Sequence, residues 1–153
     1  MALLVDWLNN ELNKMSHQQS GKIVIEEYAE GEPIIHEGEI SDCAYILESG
    51  RAEVLKNLPN GEQQVVGVLE ENDIFGELGL IDGFPRSATV RALETCKVSV
   101  LTQPAFNSLA KHNPQALMPI LKIMAKRLRQ TLEIIDEMES DHKTSKSVPV
   151  GSL

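Results

Sequence analysis

The middle of the chain reads Phe75-Gly76-Glu77-Leu78-Gly79-Leu80-Ile81-Asp82-Gly83-Phe84-Pro85-Arg86-Ser87-Ala88-Thr89-Val90, and this stretch decides the fold prediction. A glycine beside a carboxylate at its start lets a ligand approach the backbone closely. The short apolar segment that follows predicts a helical turn whose free amide groups face an anion. After Ser87 apolar and polar residues alternate, which is typical of a β-strand. The stretch therefore predicts a backbone cradle for an anion, followed directly by a strand.

Three polar side chains in this stretch suit a sugar phosphate. The planar guanidinium of Arg86 matches two phosphate oxygens, and Ser87 offers a hydroxyl donor. Glu77 can accept hydrogen bonds from sugar hydroxyls. Together they match the two polar halves of a cyclic ribose phosphate. The same residues also fit an ordinary Glu/Arg pair beside a turn, so residue chemistry leaves both interpretations open.

Short apolar runs separated by turn signals extend over residues 23–102. The turn signals recur about every 7 to 12 residues, a spacing that predicts an antiparallel β-sandwich or barrel. We expect a mainly β fold with flanking helices. The turn-forming pairs are Glu30-Gly31, Glu37-Gly38, Ser49-Gly50, Asn60-Gly61, Asn72-Asp73 and Asp82-Gly83.

Helical patterns occupy both ends of the chain. Apolar residues at helical spacing predict a short amphipathic N-terminal helix within residues 1–20. After Gln103 the pattern is helical again, with Pro104 and Pro114 suited to first-turn positions and Asn113 suited to capping the second helix. Pro119 predicts a kink or a fresh helix start.

A long C-terminal helix is predicted over residues 119–140. Its apolar positions follow a 4-3-4-3 spacing with one polar member, which indicates a heptad seam and a parallel homodimer. A helix packed only on its own domain is the alternative, because about three heptads are the minimum for a coiled coil. The seam residues are Leu117, Leu121, Met124, Leu128, Thr131, Ile135 and Met138.

These patterns divide the chain into three predicted parts. Residues 1–20 form the N-terminal helical segment, and residues 21–140 form one domain that includes the long helix. Residues 141–153 are polar and are predicted to be a disordered tail or a truncated linker without structure.

Composition excludes several function classes. The 153 residues carry a formal net charge of -9, which disfavours direct nucleic-acid binding and acidic membrane surfaces. No apolar run approaches the roughly 18 residues of a membrane span. Cys43 and Cys96 lack C-x-x-C spacing, so we expect reduced thiols and a cytoplasmic protein.

An enzymatic function finds little support. The H-E-x-x-H, G-x-S-x-G and Walker motifs are absent from the sequence. The strongest enzymatic rival, a metal-dependent β-barrel enzyme of the cupin kind, needs clustered histidines. His17, His36, His112 and His142 are scattered without an H-x-H pair, so we predict no metal, no cofactor and no enzyme activity.

Two stretches of the sequence resemble the phosphate-binding cassette of the cyclic-nucleotide-binding domain family: Gly76-Glu77-Leu78-Gly79-Leu80 and Pro85-Arg86-Ser87-Ala88. The resemblance covers residues 23–135 and is closest to the sensor half of bacterial cyclic AMP receptor (catabolite activator) proteins. A third stretch, Met124-Ala125-Lys126-Arg127-Leu128 followed by Thr131, also carries it. The resemblance implies a double-stranded, jelly-roll-like β-roll with an N-terminal helix and a long C-terminal helix.

The resemblance assigns roles within the cassette. It implies that Glu77 binds the ribose hydroxyl and that Arg86 and Ser87 bind the cyclic phosphate. The backbone around Gly76 and Leu78 completes the cradle.

The resemblance also assigns roles on the long helix. Thr131 is implied to contact the base, in its own or the neighbouring subunit, whereas a polar layer that sets the helix register is the alternative. Arg127 is a candidate for an ion pair with Glu77, and a solvated arginine on the helix face is equally consistent with the sequence. Leu132 and Gly67 replace small hydroxyl residues of the nearest relatives, so base contacts are expected to differ.

The predicted function is a regulatory sensor for cyclic AMP. Ligand binding is expected to rearrange the dimerising C-terminal helix by population shift. A cyclic GMP sensor is one alternative, because a hydroxyl at Ser87 also suits guanine; Thr131 favours cyclic AMP. A ligand-free dimerisation module is the other. The relatives continue into a helix-turn-helix domain, so we expect either a module that acts on a downstream protein or a piece of a longer protein.

Overall fold

The computed structural model describes residues 24–146 and, before them, only Asp6 and Asn10, which are helical. The N-terminal helix predicted within residues 1–20 otherwise lies outside the described residues. The chain divides into two compact units, residues 1–116 and residues 117–153.

Eight strands and three α-helices make up residues 24–146. The strands are β1 Val24–Tyr28, β2 Pro33–Ile35, β3 Cys43–Ser49, β4 Ala52–Asn57, β5 Gln63–Leu69, β6 Ile74–Phe75, β7 Thr89–Ala92 and β8 Cys96–Thr102. The helices are α1 Glu77–Asp82, α2 Gln103–His112 and α3 Met118–Lys146, with a 3-10 helix, Pro114–Leu117, between the last two.

The strands form two four-stranded antiparallel sheets, in the orders β1-β8-β3-β6 and β2-β7-β4-β5. The prediction of a β-roll with flanking helices is confirmed. The predicted turn signals separate these elements, and five of the six place a glycine at positive φ. The sixth is Asn72-Asp73, where Asn72 itself has a φ of 76°. Asparagine tolerates this region better than most residues, because its side chain bonds locally.

Apolar residues from both sheets form the core of the β-roll. Leu47, Ala52 and Cys96 are completely buried in it, and Phe75 is buried immediately before the cassette. Strand β8 is partly buried on both faces, because Ser99 and Leu101 are buried as well as Cys96 and Val98. Helix α2 packs against β8, and the Ser99 hydroxyl donates to the Glu48 carboxylate. Because both faces of β8 are covered, buried and exposed residues do not alternate strictly along this strand.

The residues at which the helices begin and end differ in part from the prediction. Thr102 caps α2 by accepting the N–H of Ala105 at 3.3 Å, and Pro104 lies in the first turn as expected. Pro114 begins the 3-10 helix, and Asn113 ends α2 while its carbonyl accepts the N–H of Ala116. Pro119 is the second residue of α3, where a proline costs no hydrogen bond. Of the two predicted alternatives, a kink or a fresh helix start, the structure shows the fresh start.

Helix α3 extends beyond the predicted boundary. It continues from Ser140 to Lys146, so the expectation that structure ends at residue 140 is wrong for residues 141–146. Polar composition led to that expectation, but no glycine or proline occurs between Pro119 and Pro149 to stop the helix. Residues 147–153 lie outside the described range. In the part of the chain that is described, no helix is both long and apolar enough to cross a membrane.

Candidate functional site

A left-handed glycine connects β6 to α1 and begins the cassette. Gly76 has a φ of 74°, and α1 starts at the next residue, Glu77. At the other end Gly83, also at 74°, donates its N–H to the Gly79 carbonyl at 2.9 Å. The predicted helical turn is thus present, with a residue free to adopt positive φ on each side.

Arg86 is buried and folds back onto this turn. Only 5% of the surface of Arg86 is exposed, and its Nη1 atom donates to the Gly76 carbonyl at 2.6 Å. Its backbone is held as well: the N–H donates to the Glu39 carbonyl at 2.8 Å, and the carbonyl accepts the Gly38 N–H at 2.9 Å. The cassette arginine therefore has one defined position.

Two side chains of β3 also contact the guanidinium. Nη2 of Arg86 lies 3.7 Å from Cys43 Sγ, and Cζ lies 5.8 Å from the centroid of the Tyr45 ring. Tyr45 stacks on Phe75 with centroids 5.4 Å apart. Burial, and next a hydrogen bond with Cys43, raise the pKa of Tyr45 above its ordinary value. Tyr45 is neutral at physiological pH, so it orients the arginine by its π face without cancelling the positive charge.

The close approach of Arg86 requires glycine at position 76. A Cβ built on Gly76 would fall on the guanidinium, with Cζ at 3.2 Å. The positive φ would strain any side chain there in addition. Glycine at position 76 therefore allows both the left-handed turn and the close approach of the Arg86 guanidinium.

The two charged cassette residues occupy one neighbourhood. Glu77 is 4% exposed and follows directly after Gly76, the residue whose carbonyl binds Arg86. Leu78 is 46% exposed, and Ser87 is exposed while its carbonyl accepts a hydrogen bond from Lys56. The structure brings together Gly76, Glu77 and Arg86, with Leu78 and Ser87 adjacent to them along the chain.

Thr131 and Arg127 belong to the second unit. Both lie on α3, and the Thr131 hydroxyl donates to the Arg127 carbonyl at 2.9 Å, the usual bond of a mid-helix threonine. Thr131 and Leu132 are exposed. The predicted contact of Thr131 with a base and the predicted ion pair of Arg127 with Glu77 stay predictions.

Sequence reasoning missed four residues around the cassette: Glu37, Cys43, Tyr45 and Lys56. Tyr45 and Cys43 contact Arg86 from β3, and Lys56 reaches Ser87 from β4. Glu37 appeared only as part of a turn signal. Their places in the sequence carry no periodic signal, because the contacts depend on which strands pair. Among the described residues no cluster of three or more His, Cys, Asp or Glu side chains is suited to a metal ion.

A family comparison matches this geometry. A model of the cyclic nucleotide-binding domain matches residues 25–113, more than half of the chain and including the whole cassette. The chain therefore belongs to the cyclic nucleotide-binding domain family.

Individual relatives agree with this assignment. The cAMP-activated global transcriptional regulator CRP of Salmonella typhimurium is 34% identical over 115 residues, which are 74% of this chain and 55% of that protein. The chain thus spans about half the length of that curated relative.

Solved structures share the fold. The catabolite activator protein of Thermus thermophilus superposes with a TM-score of 0.73 at 23% identity, over 89% of this chain and 62% of that chain. At this identity the match concerns the fold alone. The regulatory domain of Toxoplasma gondii PKA, solved with cAMP, gives a TM-score of 0.59 at 32% identity. That match covers 69% of this chain and 39% of the other.

Proposed function

We propose that this chain is a regulatory sensor domain that binds one cyclic nucleotide at the cassette formed by Gly76, Glu77, Leu78, Arg86 and Ser87. The buried guanidinium of Arg86, seated on the Gly76 carbonyl beside Glu77, carries this proposal. A buried positive charge is costly, and a phosphate placed against it offsets that cost. Glu77 supplies the acceptor for the ribose hydroxyl.

Cyclic AMP is the ligand we favour. The curated relative is named as cAMP-activated, and the Toxoplasma domain was solved with cAMP. Thr131 is assigned to the base, as the sequence resemblance implies. Cyclic GMP is the alternative, because the exposed Ser87 hydroxyl also suits guanine.

We further propose a homodimer through α3. Four residues of the predicted heptad seam are large, apolar and between 46% and 65% exposed: Leu121, Leu128, Ile135 and Met138. A second copy of this helix would bury them in a parallel pair. Ligand at the cassette and at Thr131 would then favour one arrangement of α3 and pass a signal to a downstream protein.

The remaining assignments follow from this role. We propose a non-enzymatic cytoplasmic regulator that uses cyclic nucleotide as ligand and needs no cofactor or metal. Residues 1–20 would be an N-terminal helical segment and residues 21–140 the sensor domain, with the helix extended to residue 146. Direct binding to nucleic acid or membrane forms no part of the proposed role of this chain.

Thermal unfolding with and without ligand tests the proposed function. A ligand present at 100 times its Kd stabilises the folded state by about 2.7 kcal/mol. For a chain of this size we expect the Tm to rise by about 5 to 10 °C with cyclic AMP. The open-chain 5′-AMP should give a much smaller shift, because it lacks the cyclic phosphate. Equal shifts with both would contradict recognition of the cyclic phosphate, and no shift with either cyclic nucleotide would favour the ligand-free dimerisation module.

Sedimentation equilibrium tests the dimer. We expect a dimer at micromolar concentration, and Leu128→Glu should weaken association at least about tenfold by placing a charge in the seam. Gln130→Glu adds the same charge at an exposed position outside the seam and should leave the dimer intact. A monomeric unmodified chain, or equal effects of the two variants, would refute the seam.

A further inference from the structure

A glutamate and a lysine outside the cassette form a hydrogen-bonded pair beside Ser87, one of the two proposed phosphate-binding residues. Lys56, near the end of β4, donates from Nζ to Glu37 Oε1 at 2.8 Å and to the Ser87 carbonyl at 2.6 Å. The other carboxylate oxygen of Glu37 accepts the backbone N–H of Asn57 at 2.8 Å. We call the Glu37–Lys56 ion pair, together with the bond from Lys56 to the Ser87 carbonyl, the Ser87 latch.

The turn that carries Glu37 is bonded to the cassette by its backbone as well. The Glu37 N–H donates to Thr89 Oγ1 at 3.0 Å, and the Gly38 N–H donates to the Arg86 carbonyl at 2.9 Å. Because Thr89 is buried in β7, these bonds hold the turn rigidly against the strand that follows the cassette. Lys56 connects the end of β4 to the same turn and to Ser87.

We propose that Glu37 and Lys56 are positioning residues for cyclic nucleotide binding, an inference that rests on the proposed function. They act through the backbone of Ser87: the latch fixes its carbonyl, and with it the peptide plane that follows the two proposed phosphate-binding residues. A cassette held in one conformation before binding loses less conformational entropy when the ligand arrives.

We do not expect the latch to raise the affinity for the cyclic nucleotide by charge attraction. Glu37 and Lys56 form a close ion pair whose charges cancel at a distance. The pKa of Glu37 lies below its ordinary value, first because Lys56 donates to it and next because the Asn57 N–H does. Glu37 is therefore ionised at neutral pH, and the latch is formed under the conditions of a binding experiment.

The contribution of the latch to overall stability should be small. The Lys56 side chain is 48% exposed and that of Glu37 is 18% exposed, so water screens the lysine end of the pair and the pair stabilises the fold little. We expect breaking the latch to lower the Tm by less than about 4 °C. A change in affinity with little change in Tm is the signature of a positioning role.

Calorimetric titration of cyclic AMP into five proteins tests the latch. Lys56→Met removes both bonds of the lysine, and Glu37→Gln removes the ion pair and one of the two acceptors. Each should weaken binding by about fivefold, which is about 1 kcal/mol, or about 0.7 of a tenfold step. Lys56→Arg can donate to both acceptors and should bind within about twofold of the unmodified chain. Lys97→Met removes an exposed lysine charge from the other sheet and should leave the affinity unchanged.

The two breaking variants separate positioning from electrostatics. Lys56→Met removes a positive charge and Glu37→Gln removes a negative one, so a pure charge effect would move the Kd in opposite directions. Weakening in both, with folding retained, supports the latch. Unchanged affinity in both, or opposite shifts, overturns it while the unmodified chain still binds. Absence of saturation in the unmodified chain overturns the proposed function together with the latch.

Discussion

Replacing Arg86 with alanine is expected to weaken cyclic nucleotide binding by about 100-fold or more. The guanidinium can form two charge-assisted bonds to a phosphate, each worth about 1.5 to 3 kcal/mol. Losing both costs about 3 kcal/mol or more, and each 1.4 kcal/mol is a tenfold change in Kd. Isothermal titration of the variant against the unmodified chain measures this loss.

Two further variants control this experiment. Arg86→Lys keeps the charge but not the planar fork, so binding should be intermediate. Arg91→Ala removes another arginine, which lies on β7 and pairs with Glu53 of β4, and should leave the affinity within about threefold. Thermal unfolding is followed in parallel, because Arg86 also holds the Gly76 carbonyl. If folded Arg86→Ala binds as tightly as Arg91→Ala, Arg86 does not bind the phosphate.

Gly76→Ala is expected to damage the site in a way that Gly83→Ala does not. Both glycines have a φ of 74°, so alanine at either position costs roughly 1 to 2 kcal/mol of backbone strain. At Gly83 a new Cβ would have nothing within 4 Å, whereas at Gly76 it would fall on the Arg86 guanidinium. Only Gly76→Ala therefore displaces the arginine and breaks its bond to the turn.

Paired measurements of Tm and Kd distinguish the two glycine variants. Gly83→Ala should lower the Tm by about 2 to 8 °C and change the affinity by less than about threefold. Gly76→Ala should lower the Tm further and weaken binding at least about tenfold. Similar losses of affinity in both variants would mean that the turn conformation matters and the seat of Arg86 does not.

Local signals in the sequence were sufficient to predict the class of fold. The glycine-containing pairs mark chain reversals because positive φ is accessible to glycine, and their spacing matches the length of the strands. Asn72, at a φ of 76°, served the same purpose without a glycine. Burial in β8 was less predictable, since Ser99 is covered by neighbours distant in the sequence.

The candidate site was only partly readable from the sequence. Gly76, Glu77 and Arg86 stand within one continuous stretch, so a motif could identify them. Cys43 lies 43 residues before Arg86, and Lys56 lies 31 residues before Ser87. Strand pairing brings these residues to the cassette, and alternation of polar and apolar residues does not specify which strands pair.

The end of α3 shows the opposite limitation. A polar segment was predicted to be unstructured, yet helix continues to Lys146, because no glycine or proline interrupts it and a helix that has already begun is extended one residue at a time. The heptad seam predicted along this helix requires a second copy of the chain, so it is tested by measuring the oligomeric state in solution.

Titration of the unmodified chain with cyclic AMP and with cyclic GMP, by isothermal calorimetry, tests the central claim most directly. The account predicts saturable binding of one cyclic AMP per chain, tighter than that of cyclic GMP. No saturable binding of either cyclic nucleotide to the folded chain would contradict it.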